Sequence, residues 1–198
     1  MHHHPARRHA LARLVAGAAA AAGTGAARAQ APDAHALLEA QRAAMQSLAV
    51  LDGQWRGSAR VMLPGGRMLE LVQTERIGSM LGGSVKFIEG LGYDADGRAQ
   101  FNAFAVISYT PATASYHFHS WAQGQSANFD FETRPDGFVW WKRFGPVTMR
   151  QTAVVQGDRW TELGERTMEG QPTVRTVEMQ LRRIGPSDWP AAGAVLPR

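Results

Sequence analysis

The chain of 198 residues contains no cysteine. This absence excludes disulfide bonds, thiolate metal sites, a thiol nucleophile and a lipid-anchored cysteine. Lysine is also scarce, since Lys86 and Lys142 are the only two. No histidine follows His119, so the C-terminal third of the chain offers no imidazole ligand.

A surplus of basic residues exists only at the N-terminus. The formal net charge is +4, and Arg7, Arg8, Arg13 and Arg28 all lie in the first thirty residues, which contain no acidic residue. Of the 21 basic residues, these four leave 17 to balance 17 acidic ones. Binding to nucleic acid or to an anionic membrane needs a basic surplus on the folded part. We therefore expect no nucleic-acid partner.

Residues 1–31 have the pattern of an export signal peptide. Arg7 and Arg8 give a positive start, and an uncharged, alanine-rich run follows Arg13. Residues 27–31 offer small side chains two positions apart, as signal peptidase requires. The run is too short and too weakly apolar for a permanent anchor, and the paired arginines also suit twin-arginine export. We predict an exported protein, periplasmic or secreted, with no stable membrane anchor after cleavage.

Residues 32–50 predict one amphipathic helix, from about His35 to Ala49. Asp33 is a suitable N-cap, and polar residues separate apolar ones at helical spacing. The apolar positions are Leu37, Leu38, Ala44, Met45 and Leu48. We expect this helix to plug one end of the domain that follows; a lid over a ligand mouth and a dimer contact are the alternatives.

Residues 51–185 predict a closed antiparallel β-barrel of about ten strands. Apolar or small residues alternate with polar ones from Trp55 to Leu63, the period of a strand, and turn signals recur roughly every 9 to 16 residues afterwards. Such spacing leaves no room for crossover helices, so the strands are antiparallel. Closure removes the exposed edges of an open sheet, although a β-sandwich has the same spacing. Residues 186–198 predict a loosely packed C-terminal tail.

Gly53-Gln54-Trp55, a Gly-x-Trp at the start of the first strand, resembles the lipocalin and fatty-acid-binding-protein superfamily. That resemblance implies an all-β barrel whose base is closed by Trp55. It also implies an arginine near the end of the last strand that packs across the indole. The parity of the last strand selects Arg183 as this partner, with Arg182 as the second choice. Gly53, Trp55 and Arg183 are thus the predicted barrel-closing residues.

A more detailed similarity is to DUF1579, a lipocalin-like family of unknown function. The similar segments are Leu51–Gly57, Glu75–Ile77, Leu81–Gly83 and Gly92–Asp94. The resemblance implies a barrel and no established activity. Another barrel relative, nitrobindin, holds haem through a histidine late in its chain, whereas here none follows His119. We therefore expect no haem and no other cofactor.

The aromatic stretch 116–144 predicts the inner face of the barrel. With two-residue turns at 124–125 and 136–137, Phe118 lies opposite Phe131 and His119 opposite Asp130; a slip of one residue would reverse the faces. Large aromatics either fill such an interior or wall a ligand cavity, and both alternatives stay open. The candidate ligand-binding residues are Phe118, Phe129, Phe131, Trp140, Lys142 and Phe144.

The opposite face of the same hairpins carries polar side chains. Imidazoles and carboxylates two positions apart suit zinc, but a solvated outer face with cross-strand pairs has the same pattern, so we expect no metal. The weak candidate ligands are His117, His119, Asp130 and Glu132. A histidine–carboxylate pair suits general-base catalysis, but no nucleophile or oxyanion donor accompanies it. Trp121 and Trp141 share this face and suit a partner surface.

Together these features predict an exported, lipocalin-like protein that binds a small apolar or amphipathic molecule inside its barrel, as a monomer or homodimer. Two alternatives remain. One is a structural or partner-binding barrel with a filled core, and the other is a metal-dependent or histidine–carboxylate enzyme.

Overall fold

The computed structural model describes residues 33–190. The predicted export signal, residues 1–31, and the end of the predicted tail, residues 191–198, lie outside the described residues. The described helices are too short or too polar to cross a bilayer.

Helix α1 spans Ala34–Gln46. Asp33 is its N-cap, and the carboxylate accepts a hydrogen bond from a backbone N–H of the first turn. The helix ends three residues before the predicted Ala49, because Leu48 leaves helical geometry. A 3₁₀ turn, Ala49–Leu51, then carries Leu51 into the core. The break thus directs the chain from the helix into the first strand.

Ten antiparallel strands form a closed barrel, which confirms the predicted fold class. Each strand pairs with its neighbours in sequence, and the first pairs with the last. The barrel has no edge strand, so closure pairs most of the backbone groups that an open sheet would expose. The fifth and sixth strands pair only between Phe118–Ala122 and Gln125–Phe129. The strands are β1 Gly53–Met62, β2 Met68–Met80, β3 Val85–Tyr93, β4 Ala99–Thr110, β5 Ser115–Ala122, β6 Gln125–Arg134, β7 Gly137–Phe144, β8 Val147–Gln156, β9 Arg159–Met168 and β10 Val174–Gly185.

Two hairpin turns lie one residue earlier than predicted. The β5–β6 turn is Gln123-Gly124, and both residues have positive φ angles, 51° and 77°, as a two-residue type I′ turn requires. Phe118 therefore lies opposite Phe129 rather than Phe131. Shifting a turn by one residue changes the pairing by two, which preserves the faces. The aromatic side chains still point inward.

The helix end of the barrel is sealed around Trp55. This side chain is fully buried, and its indole N–H donates to the carbonyl of Leu51 at 2.8 Å. Arg183 lies opposite Trp55 on the neighbouring strand β10, and its guanidinium carbon is 4.0 Å from the centroid of the indole ring. The guanidinium also donates to the backbone carbonyls of Val50 and Asp52. Ring and guanidinium thus fasten the 3₁₀ turn to both closing strands.

Helix α1 completes this seal. Its Met45 and the following Leu48 are buried in the same core as Trp55. Two tyrosines of the barrel bind the helix. The Tyr116 hydroxyl donates to the carbonyl of Ala44 at 2.9 Å, and the backbone carbonyl of Tyr109 accepts a hydrogen bond from the side-chain amide of Gln41. The helix therefore plugs this end of the barrel, as predicted.

The described part of the tail packs on the barrel, so the prediction of a loosely packed tail is wrong for these residues. Trp189 contacts Phe87 and Phe104, with ring centroids 6.2 and 5.9 Å away. Arg76 lies over the indole of Trp189 and makes an ion pair with Asp188 at 3.5 Å. The prediction failed because breaker residues reveal where a strand ends and not what the following residues contact.

Candidate functional site

A cavity of about 290 Å³ lies inside the barrel. Its lining runs from Phe138 and Trp160, next to the sealed end, up to Val61, Phe101 and Ala122 near the opposite end. The volume is close to the lower limit of small-molecule sites, roughly 300–1,000 Å³. Because α1 and Trp55 seal one end, a ligand would enter from the other.

The cavity exists because small side chains face large ones across the barrel. Several inward positions of β1, β3, β4 and β5 hold residues with little or no side chain, and β5, β6, β7 and β9 contribute most of the aromatic rings. Ten strands also enclose more space than eight. The interior of an eight-stranded barrel is either just filled by side chains or holds one small ligand. The small lining residues are Ala59, Gly90, Ala103, Ala105, Ser120 and Ala122.

Three of the predicted ligand-binding residues line this cavity. Phe118, Phe129 and Trp140 form one aromatic wall, with the Trp140 ring centroid 5.3 Å from that of Phe118 and 4.8 Å from that of Phe129. Phe131 is buried in the core below them and does not line the cavity. That any of these residues contacts a ligand remains a prediction.

Lys142 and Phe144 lie outside the cavity lining. Phe144 is 47% exposed at the end of β7. The Lys142 ammonium donates to the carbonyl of Asn128 at 2.9 Å and lies over the rings of Phe129 and Phe144. A strand near its end no longer faces a packed interior, so inward parity does not make these two residues part of the cavity wall.

The floor of the cavity is its end next to the sealed core. Glu75 places a carboxyl group there, and the sequence analysis did not identify it. It projects inward from β2, one inward position above the sealed core, and it lies against the bare backbone of Gly90. Gln73 donates to its Oε1 at 2.8 Å. Loss of hydration inside the barrel raises the pKa of Glu75 to about 8, a rise that the Gln73 hydrogen bond opposes and the nearby Glu162 charge reinforces.

Glu162 is a second carboxyl group on the same floor. It projects from β9, one inward position above Trp160. Loss of hydration raises its pKa to about 7. The indole N–H groups of Trp140 and Trp160 oppose this rise, although Trp160 Nε1 reaches no acceptor at full hydrogen-bond geometry. Two carboxyl groups with raised pKa values therefore share one largely apolar cavity.

Gln151 adds an unsatisfied acceptor to this floor. It projects from β8, is 4% exposed, and packs over the bare backbone of Gly164. Among the residues that the structure describes, none donates to its Oε1. A buried acceptor without a partner costs about 1–3 kcal/mol. Such a group suits a ligand that brings a donor.

The sequence did contain a signal for these polar residues. Gln73 and Glu75 interrupt the inward apolar parity between Leu71 and Ile77, and Glu162 follows Trp160 at the same parity. A charged residue at an inward position of a strand is rare unless it has a function or a partner. Each of the two glutamates is isolated on its own strand, and parity does not show that closure of the barrel brings the two together.

The weak metal candidates do not converge. His117 contacts the hydroxyl of Thr110 at 2.9 Å, and His119 contacts the amide oxygen of Asn128 at 2.6 Å. Because the β5–β6 turn is shifted, His119 lies opposite Asn128 instead of Asp130. Asp130 lies opposite Trp141 on β7, and Glu132 is exposed on the same outer face. Within residues 33–190 no group of three or more potential ligands comes together.

Trp121 and Trp141 lie on the outer face, as predicted, but on strands separated by β6. Trp121 is 45% exposed and packs against His119 and Phe104, while Arg150 lies over the ring of Trp141. They therefore have separate sets of neighbours.

Comparison with known proteins supports the fold alone. No protein-family model matches the chain, and no curated protein sequence matches it. A match among solved structures is the crystal structure of Rv2717c from M. tuberculosis, with a TM-score of 0.54 and 14% identity over 71% of this chain and 96% of that one. The two proteins share a barrel architecture. Membership of the DUF1579 family stays a prediction.

Proposed function

We propose that this protein is an exported, lipocalin-like barrel that binds one small apolar or amphipathic molecule in its interior. The cavity of about 290 Å³ carries this proposal. Its walls are aromatic and aliphatic, a few polar groups converge on its floor, and one end is sealed by a helix. A mostly apolar cavity with a few converging polar groups is the usual form of a small-molecule site.

Titration with N-phenyl-1-naphthylamine, an apolar probe that is neutral at pH 7, tests this binding. Trp140 and Trp160 line the cavity, so a bound probe should quench their fluorescence and saturate at one molecule per chain. Ala103→Leu places a larger side chain in the cavity and should weaken binding at least about tenfold. Ala112→Leu, the same change at an exposed position near the helix end, is the control.

Absence of saturation, or equal binding by the two variants, would contradict a ligand site in the barrel. In either case the alternative of a structural or partner-binding barrel would gain support.

Export is a separate part of the proposal, and it rests on the pattern of residues 1–31. The chain expressed with a C-terminal tag in a Gram-negative host should appear in the periplasmic fraction or the medium. Its new N-terminus should follow one of the small residues between Ala27 and Ala31. An unprocessed chain that stays in the cytoplasm would refute export without affecting the binding proposal. Light scattering of the processed protein distinguishes the expected monomer or homodimer from a larger assembly.

A further inference from the structure

The floor of the cavity has a surplus of hydrogen-bond acceptors. Glu75 and Glu162 contribute two carboxyl groups, and the buried Gln151 contributes an amide oxygen that receives no donor from the described residues. The protein donors that oppose the rise in the carboxyl pKa values are the Gln73 amide and two indole N–H groups. A ligand that supplies donors would satisfy this floor.

Within residues 33–190, no cationic side chain lies beside these carboxyl groups in the cavity. Among the described residues, none that line the cavity is Lys, Arg or His. Lys86 points inward but lies at the sealed end, where its ammonium binds Asp52 at 2.6 Å and Ser79 at 2.9 Å. Lys142 is bound to a backbone carbonyl near the opposite end of the barrel. Wherever one of these carboxyl groups is ionised, its counter-charge must therefore come from water-borne ions or from the ligand.

The walls above the floor suit a cation with an apolar body. Phe118, Phe129 and Trp140 line one side of this space and pack against one another. A ring face attracts an ammonium group within about 6 Å, and the attraction grows when water is excluded. The carboxyl groups at the floor and the aromatic rings of the wall thus favour the same class of ligand.

We propose that the ligand of this barrel is an organic cation, a protonated amine attached to a small apolar body. Its ammonium group is held at the floor by Glu75, Glu162 and the amide oxygen of Gln151. Its body lies against the aromatic wall. This assignment rests on the proposed function and names the class of molecule that the cavity binds.

Binding of such a cation should depend on pH. Glu75 faces Glu162 inside the barrel, with Gln73 as its donor, while Glu89 lies on the outer face beside Arg76 and acts on Glu75 only through its charge. Glu162 faces the indoles of Trp140 and Trp160. The pKa values of about 8 and about 7 leave these two carboxyl groups partly or largely protonated at pH 7. An alkylammonium, like that of lysine, stays protonated beyond pH 8.

The cation must therefore displace a proton. We expect its dissociation constant to fall about tenfold or more between pH 6 and pH 8, and protons to be released on binding.

The test compares three probes of similar size on the purified full chain: 2-phenylethylamine, 2-phenylethanol and 3-phenylpropionate. They are a cation, a neutral molecule and an anion. Isothermal titration calorimetry at pH 8 should give the amine a dissociation constant at least about tenfold lower than the alcohol and the acid. Repeating the amine titration at pH 7 in buffers of different ionisation enthalpy counts the protons released.

Glu75→Gln and Glu162→Gln keep the shape of each side chain and remove its charge. Each should weaken amine binding at least about tenfold and change alcohol binding less than about threefold. Glu70→Gln is the matched control, since Glu70 lies on the outer face of the same strand with its side chain 82% exposed. Circular dichroism confirms that each variant folds.

The outcomes separate the two proposals. Preferred amine binding that is lost in both glutamine variants, with release of protons, supports the cation. Equal binding of amine and alcohol, amine binding unchanged by the variants, or no proton release overturns it and leaves a barrel that binds neutral molecules. If none of the three probes and no N-phenyl-1-naphthylamine binds, both proposals fail.

Discussion

Replacing Glu75 by glutamine should change how the stability of the barrel depends on pH. The pKa of Glu75 in the folded chain is about 8, against an ordinary 4.5. Between these values the folded chain keeps a proton that the unfolded chain loses, so the free energy of unfolding falls as the pH rises from about 4.5 to 8. Glutamine cannot ionise, and its Oε1 can still accept the hydrogen bond from Gln73.

The size of the effect follows from the pKa. One pKa unit is worth about 1.4 kcal/mol, so the change from 4.5 to about 8 sets an upper limit of about 5 kcal/mol. Glu75 still faces a cavity that water can enter, and we therefore expect about 2 to 3 kcal/mol. Glu75→Gln should be the more stable protein by this amount at pH 8.5, and the two should differ by less than about 1 kcal/mol at pH 5.

Urea unfolding followed by tryptophan fluorescence at pH 5, 7 and 8.5 measures these free energies. The slope with urea should not change, because the same surface is exposed on unfolding. Glu70→Gln on the outer face should leave the pH dependence as it is in the parent chain. A stability difference between Glu75→Gln and the parent that is the same at pH 5 and pH 8.5 would refute the reasoning.

Three further predictions concern the sealed end and are checked by the same urea titrations. Arg183→Ala removes the cation over the closing indole and its bonds to two backbone carbonyls, so it should cost about 2–4 kcal/mol; the control Arg182→Ala, at an exposed neighbour, should cost under about 0.5 kcal/mol. Asp52→Asn leaves the ammonium of Lys86, which is 1% exposed, without its carboxylate partner, whereas Lys86→Met leaves a carboxylate that is 34% exposed. Asp52→Asn should therefore be the more destabilising of the two, by about 1–3 kcal/mol. The reverse order would contradict the buried ion pair. Asp33→Ala removes the N-cap of α1 and should cost about 1 kcal/mol, with faster hydrogen exchange in the first turn; unchanged exchange there would contradict the cap.

Much of the fold was predictable because its signals are local. Alternation from Trp55 onward, the recurring turn residues and the N-cap Asp33 depend only on neighbours in sequence, and they predicted the strands, the helix and the antiparallel order. The turns at residues 123–124 and 135–136 were placed one residue late, since Gly-Gln and Asp-Gly are plausible turn pairs on sequence grounds. The error spared the faces because it moved the pairing by two residues.

The candidate site was predictable only in part. The inward parity of Phe118, Phe129 and Trp140 follows from alternation, and these side chains do line the cavity. Parity could not show that Phe144 lies where the strand leaves the interior, because exposure at a strand end depends on the length of its neighbours. It also could not show whether a cavity remains, because volume depends on all ten strands at once.

By itself, the sequence determined the alternation of strands and turns, the helix start and the predicted export pattern of residues 1–31, since each is encoded within a few neighbouring residues. Only the tertiary structure decided that Glu75 and Glu162, which lie on strands far apart in the chain, share one floor. Pairing of β1 with β10 brings β2 and β9, the strands of these two residues, to the same side of the barrel. The small residues opposite the aromatic wall leave part of the interior unfilled, and this space is the cavity. Both results depend on contacts between distant segments, which no local pattern contains.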